Sequence, residues 1–148
     1  MSIAFFHTWT TYGTWLPGDA RGWFLSHRGL QPAELQRELE SAFRMSEDAL
    51  VLNVPQRQIV EQTIVDHCRI RKWELHAVNC RTNHVHVVVT ANRELPVVRE
   101  QFKAWCTRRL KASSPIAREK WWTERGWDEY IDDESGLAAT IEYVLFRQ

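Results

Sequence analysis

The chain has 148 residues, with 19 basic and 19 acidic side chains and no net charge. That balance argues against a protein that coats nucleic acid through bulk charge, and no apolar run approaches the roughly 20 residues of a membrane span. Hydrophobic content of 44% and charged content of 26% are ordinary for a globular domain. The length predicts one domain covering residues 1–148, large enough to bury a core unaided. Met1 to Trp9 show no basic stretch followed by an apolar one, so a cytoplasmic location is expected. The three cysteines, Cys68, Cys80 and Cys106, are too widely spaced to read as a disulfide framework.

In chain order, the aromatic and β-branched run Ile3–Tyr12 predicts a strand. Phe5, His7, Trp9 and Thr11 share one face and Phe6, Thr8, Thr10 and Tyr12 the other. Gly13–Gly29 follows as a long loop. Pro32–Arg44 and Pro55–Arg71 read as helices, with irregular chain over Met45–Val54. Lys72–Arg81 alternates as a strand, with Trp73, Leu75 and Ala77 facing one way and Glu74, His76 and Val78 the other. A short turn at Arg81-Thr82-Asn83 leads into the β-branched strand His84–Ala91, giving an antiparallel hairpin. Pro96–Ala112 is a helix with an apolar stripe of Val98, Phe102, Trp105 and Cys106, flanked by Arg99 and Lys103. One or two short strands are expected in Trp121–Ile131, and a last helix over Glu134–Arg147. Set apart from its first small helix, this order is an α+β, ferredoxin-like βαββαβ antiparallel sheet. Helices lie on one face and a C-terminal helix is added.

Two side chains two apart on a strand point to the same face. His84 and His86 therefore offer two imidazoles to one divalent ion, while Val85, Val87 and Val89 face the core. In the last helix, Leu137, Ile141, Val144 and Leu145 form an apolar stripe, and Tyr143 falls roughly opposite it, directed at a cleft or at solvent. The segment Arg57–Lys111 holds eleven Lys or Arg against five Asp or Glu, so a basic surface can exist despite the neutral total. Within it, Arg99, Lys103, Arg108, Arg109 and Lys111 can contact a nucleic-acid backbone or simply form a solvated helix face. Of the eight tryptophans, Trp9, Trp15 and Trp23 can stack on unpaired bases or fill the core.

The run Thr82-Asn83-His84-Val85-His86-Val87-Val88-Val89 resembles the His-hydrophobic-His motif of the single-tyrosine HUH transposases. These are the insertion-sequence transposases acting on single-stranded DNA and the REP-associated tyrosine transposases. The opening strand with Trp9-Thr10-Thr11-Tyr12-Gly13, then Trp15-Leu16 and Gly18, and the tyrosine-bearing last helix are also similar. The resemblance implies a Mg²⁺- or Mn²⁺-dependent endonuclease and strand transferase. Tyr143 is its nucleophile and His84 and His86 are metal ligands. It implies a substrate of single-stranded or hairpin DNA, and a homodimer. Relatives complete the metal site with a polar residue one turn after the tyrosine. Here that position is Arg147, which cannot ligate a metal. Gln148, five residues on, points away from Tyr143 in a regular α-helix. Three alternatives stand beside this reading: a catalytically inactive nucleic-acid-binding relative, a housekeeping DNA-processing protein, and a structural zinc domain using His84, His86 and a cysteine.

Overall fold

The computed structural model describes residues 2–14, 23–25, 29–114 and 117–147. Strand β1 (Ala4–Thr10) is followed by a small hairpin of β2 (Trp23–Leu25) and β3 (Gly29–Gln31). That hairpin is a correction to the unbroken loop expected over Gly13–Gly29. Helices α1 (Leu35–Phe43) and α2 (Val54–Arg71) come next, then β4 (Glu74–Cys80), β5 (His84–Thr90), α3 (Leu95–Ser113), β6 (Trp127–Ile131) and α4 (Glu134–Glu142). The last described turn, Tyr143–Arg147, is π-helical.

The main sheet has the order β4-β5-β1-β6 and is antiparallel throughout. This is the ferredoxin-like arrangement that the element order predicted. Local chemistry sets the element ends. Asn53 caps α2 by accepting from the Gln56 amide, while the Gln56 side chain accepts from the Asn53 amide, each at 2.9 Å. The chain leaves α2 through Lys72 at a left-handed φ of 61°. Gly13, at a φ of 84°, turns the chain out of β1 so tightly that an added Cβ would lie 2.7 Å from the Ala49 Cβ.

Two cores sit on opposite faces of the sheet. The larger packs α2 and α3 against Trp9, Trp73, Cys80, Val85, Val87 and Val89. The smaller packs the C-terminal helix against Ala4, Phe6, Ala77, Val88 and Ile131, with Leu137, Ile141 and Val144 supplied from the helix side. The four valines of β5 are fully buried, and each contributes roughly 1.5 kcal/mol or more through removal from water.

The expected alternation in β1 is observed. In β4 it is broken: a bulge between Leu75 and Ala77 shifts the register. Leu75 and Val78 thus pack with the α2/α3 core, while Ala77 joins the opposite one. The placement of Ala77 beside Trp73 and Leu75 is thereby corrected. Leu145, expected on the apolar stripe of the last helix, is 42% exposed. The π-helical turn rotates it off the stripe. Among the described residues no helix is long and apolar enough to cross a membrane.

Candidate active site

His84 and His86 open β5, and the pairing that buries Val85 and Val87 under α2 and α3 turns both imidazoles to the other face. Their ring centroids are 4.8 Å apart. The His84 Nδ1 lies 2.8 Å from the Asn83 Oδ1. A carbonyl oxygen only accepts, so His84 donates from Nδ1 in this contact. His86 is 7% exposed, and its Nδ1 is buried with no hydrogen-bond partner. Burial, the charge of His84 and the charge of Arg81 lower the His86 pKa to about 4, so its ring is neutral at physiological pH. A neutral imidazole is the form that binds a metal.

Tyr143 reaches the same place from the C-terminal helix. Its ring lies 5.8 Å from that of His86, nearly perpendicular, and 6.3 Å from that of Phe6. It is 44% exposed. The expectation that it points away from its helix's packing face is therefore refined: Tyr143 leans over the sheet onto His86 and stays open to solvent. Two features fix the turn that carries it. Val144 is wholly buried in the smaller core, and the Asn79 Nδ2 donates to the Val144 carbonyl at 2.9 Å. Asn79 stands directly opposite His86 in the sheet. It shares the histidine face because of the β4 bulge, which is why a reading of alternation alone misses it. Arg81, exposed and near enough for its charge to act on His86, is a second residue that the sequence reading did not single out.

Other expected site residues lie elsewhere. Trp9 is 1% exposed and stacks on Phe102 in the α2/α3 core, so its expected role as a base-stacking platform is corrected. Arg99 and Lys103 do not flank α3 as solvated cations. Both are more than 90% buried. Arg99 pairs with Asp128 and with Glu100. Lys103 donates to the carbonyls of Thr123 and Arg125 at 3.0 and 2.8 Å. Arg109 pairs with Asp66 at 2.7 Å, and the exposed Arg108 lies over the Trp105 ring. All four sit on α3, across the sheet from the histidines. A cavity of about 530 Å³ lined by Phe5, Arg93, Leu95, Val97 and Tyr130 is also on that far face. Trp15 and Gln148 lie outside the described residues, as does the side chain of Trp23.

The donor set suits a hard or borderline divalent ion held by two nitrogens and further oxygens. Among the described residues no group of three or more His, Cys, Asp or Glu is placed to hold a metal. A structural zinc site built from the pair and a cysteine is excluded by position. Cys68, Cys80 and Cys106 are all buried in the α2/α3 core, on the other side of the sheet. Burial raises the Cys68 and Cys80 thiols to about 12 and raises Cys106 as well, so none is available as a thiolate.

A family model described as "Transposase IS200 like" matches residues 41–144, which take in both histidines and Tyr143. The chain belongs to the IS200-like transposase family. A solved structure described as a REP-associated tyrosine transposase bound to a REP hairpin shares the fold at a TM-score of 0.55 and 14% sequence identity. The alignment covers 97% of this chain and 66% of that one, so this IS200-like chain spans a little under two thirds of the solved relative. No curated protein sequence matches the chain.

Proposed function

We propose that this chain is a metal-dependent single-stranded DNA endonuclease and strand transferase that uses Tyr143 as its nucleophile. The observation that carries the reading is the Tyr143 ring 5.8 Å from His86, on the open face of the sheet. Family membership and the shared fold support it. His84 and His86 would hold Mg²⁺ or Mn²⁺, and such an ion polarises a phosphate and stabilises the charge that develops on its oxygens. Arg81 adds a fixed positive charge beside the pair.

The Tyr143 oxygen attacks phosphorus and the P–O3′ bond breaks. The phenol proton passes to solvent, and the departing 3′ oxygen takes up a proton to become a free hydroxyl. The downstream strand remains on Tyr143 through a 5′-phosphotyrosine. That link conserves the phosphodiester energy, so a 3′ hydroxyl can attack it in the reverse sense and join strands without ATP. Asn79 acts as a positioning residue, holding the backbone of the Tyr143 turn against the sheet.

Gln148 is the residue proposed to complete the metal site, since the guanidinium of Arg147 cannot ligate a metal. The chain is further read as a homodimer that binds single-stranded or hairpin DNA, as the solved relative binds its REP hairpin.

The test is incubation with Mn²⁺ and hairpin oligonucleotides labelled at the 3′ end, the end that stays with the protein, followed by a denaturing gel. The expected result is a covalent protein–DNA band that disappears with EDTA and in Tyr143→Phe. A band that persists in Tyr143→Phe contradicts the assignment of the nucleophile.

A further inference from the structure

Four residues stand in one row across the sheet. Asn79 pairs with His86, His86 with Thr8, and Thr8 with Trp127. Directly opposed residues in antiparallel strands share a face. Trp127 therefore lies on the histidine face, level with His86 and two strands away. At roughly 4.8 Å per strand that is about 10 Å, a span of about three base steps at B-DNA's 3.4 Å rise, and fewer for a stretched strand.

The C-terminal helix covers the neighbouring rows of this face, those of Phe6, Val88, Ala77 and Ile131, and the His86 end of this row, and leaves Trp127 at its other end exposed. Trp127 is 53% exposed. Its indole Nε1–H donates to the Glu129 carboxylate at 2.8 Å, so the ring is tethered by one edge while more than half of its surface meets water. The strand beneath it is held firmly. Gly126 approaches β1 so closely that an added Cβ would lie 2.6 Å from the Thr8 carbonyl oxygen, and Lys103 binds the carbonyls just before it. A large aromatic on an edge strand, rigidly mounted and uncovered, is a stacking surface in search of a flat partner.

Charge decides which part of a strand it takes. The fixed charge of Arg81 makes the β5 side of the row attractive to phosphate. On the β6 side the Glu129 carboxylate holds the edge of the indole, where it repels phosphate and leaves the ring face to a neutral base. We infer that Trp127 is a stacking platform for an unpaired base of the DNA strand whose backbone crosses His84 and His86. This rests on the function proposed above and adds a base-binding subsite to it.

Binding is measured by fluorescence anisotropy in the non-cleaving Tyr143→Phe background. The probes are a labelled 20-nucleotide random-sequence single strand and a strand of equal length built from abasic residues. Trp127→Ala is expected to weaken binding of the base-bearing strand about 5- to 100-fold, the usual range for one stacked base, and to leave the abasic strand unchanged. Trp127→Phe, which keeps a ring, is expected to retain most of the affinity. Unchanged binding of the base-bearing strand by Trp127→Ala overturns the proposal. So does an equal loss on both strands, which marks a structural role. The covalent-adduct assay reports separately on the underlying reading. An adduct with no Trp127 effect removes only the stacking site, whereas no adduct and no binding of either strand removes both.

Discussion

Two histidine sites occupy the same sheet and differ in what stands behind the ring. His7, on the α2/α3 face, is wholly buried, with its Nδ1 2.8 Å from the Asp128 carboxylate, and Arg99 pairs with the other oxygen of that carboxylate. His84 and His86, on the opposite face, stand against each other, with the neutral Asn83 amide at His84 and the half-exposed Tyr143 beside His86. The first arrangement is closed: ring, carboxylate and guanidinium tie β1, β6 and α3 together. The second sets His84 beside the neutral imidazole of His86, with Tyr143 over it, an arrangement suited to ligation. The comparison shows that a histidine's role on a strand follows from the charges facing it more than from its burial, since His86 is nearly as buried as His7.

The largest effect expected from this contrast is on stability. Asp128→Ala leaves Arg99 with its guanidinium buried and short of its carboxylate, a change that costs about 3 kcal/mol or more. Urea unfolding should show that loss while Mn²⁺ affinity stays unchanged. A loss of Mn²⁺ affinity in the folded variant would mean that the two sites are not independent.

Next comes acid sensitivity of the metal-free protein. Burial first, then the His84 and Arg81 charges, lower His86 from 6.5 to about 4. Between those values the unfolded chain takes up a proton that the folded chain does not, so stability falls as the pH drops from 6.5 towards 4. The total is on the order of 3 kcal/mol. Unfolding curves in EDTA should show this slope, and His86→Gln should flatten it. An equally steep slope in His86→Gln would place the titrating group elsewhere.

The third effect is on the metal. Removing groups that merely support a ligand costs about 10- to 100-fold in affinity. His86→Ala, which removes a ligand itself, should therefore cost about 100-fold or more in a Mn²⁺ titration followed by electron paramagnetic resonance, with little change in melting temperature. Affinity retained in both His84→Ala and His86→Ala would move the metal away from the pair.

Much of this was legible in the sequence because it follows from period. Alternation in Ile3–Tyr12 and the valines after His84 fixed which residues face the helices, and the residue pattern placed every element of the main sheet. What escaped depends on contacts that period does not encode. The β4 bulge occurs at His76 with no glycine to mark it, and it alone brings Asn79 to the histidine face. Arg99 and Lys103 look like solvated cations until Asp128 and the carbonyls of Thr123 and Arg125, 20 to 29 residues on, are folded against them. The π-helical turn likewise depends on how the last helix meets the sheet, where Asn79 takes the Val144 carbonyl.

The central claim is that Tyr143, beside the histidine pair, is the residue that attacks DNA. The most direct measurement is to trap the adduct formed with Mn²⁺, digest it with nuclease and trypsin, and sequence the modified peptide by mass spectrometry. Cleavage after Arg125 and Arg147 releases one peptide carrying both Tyr130 and Tyr143, so fragmentation distinguishes the two. The account predicts the phosphonucleotide on Tyr143. Its appearance on Tyr130, on the far face of the sheet, or on Tyr12 would contradict it.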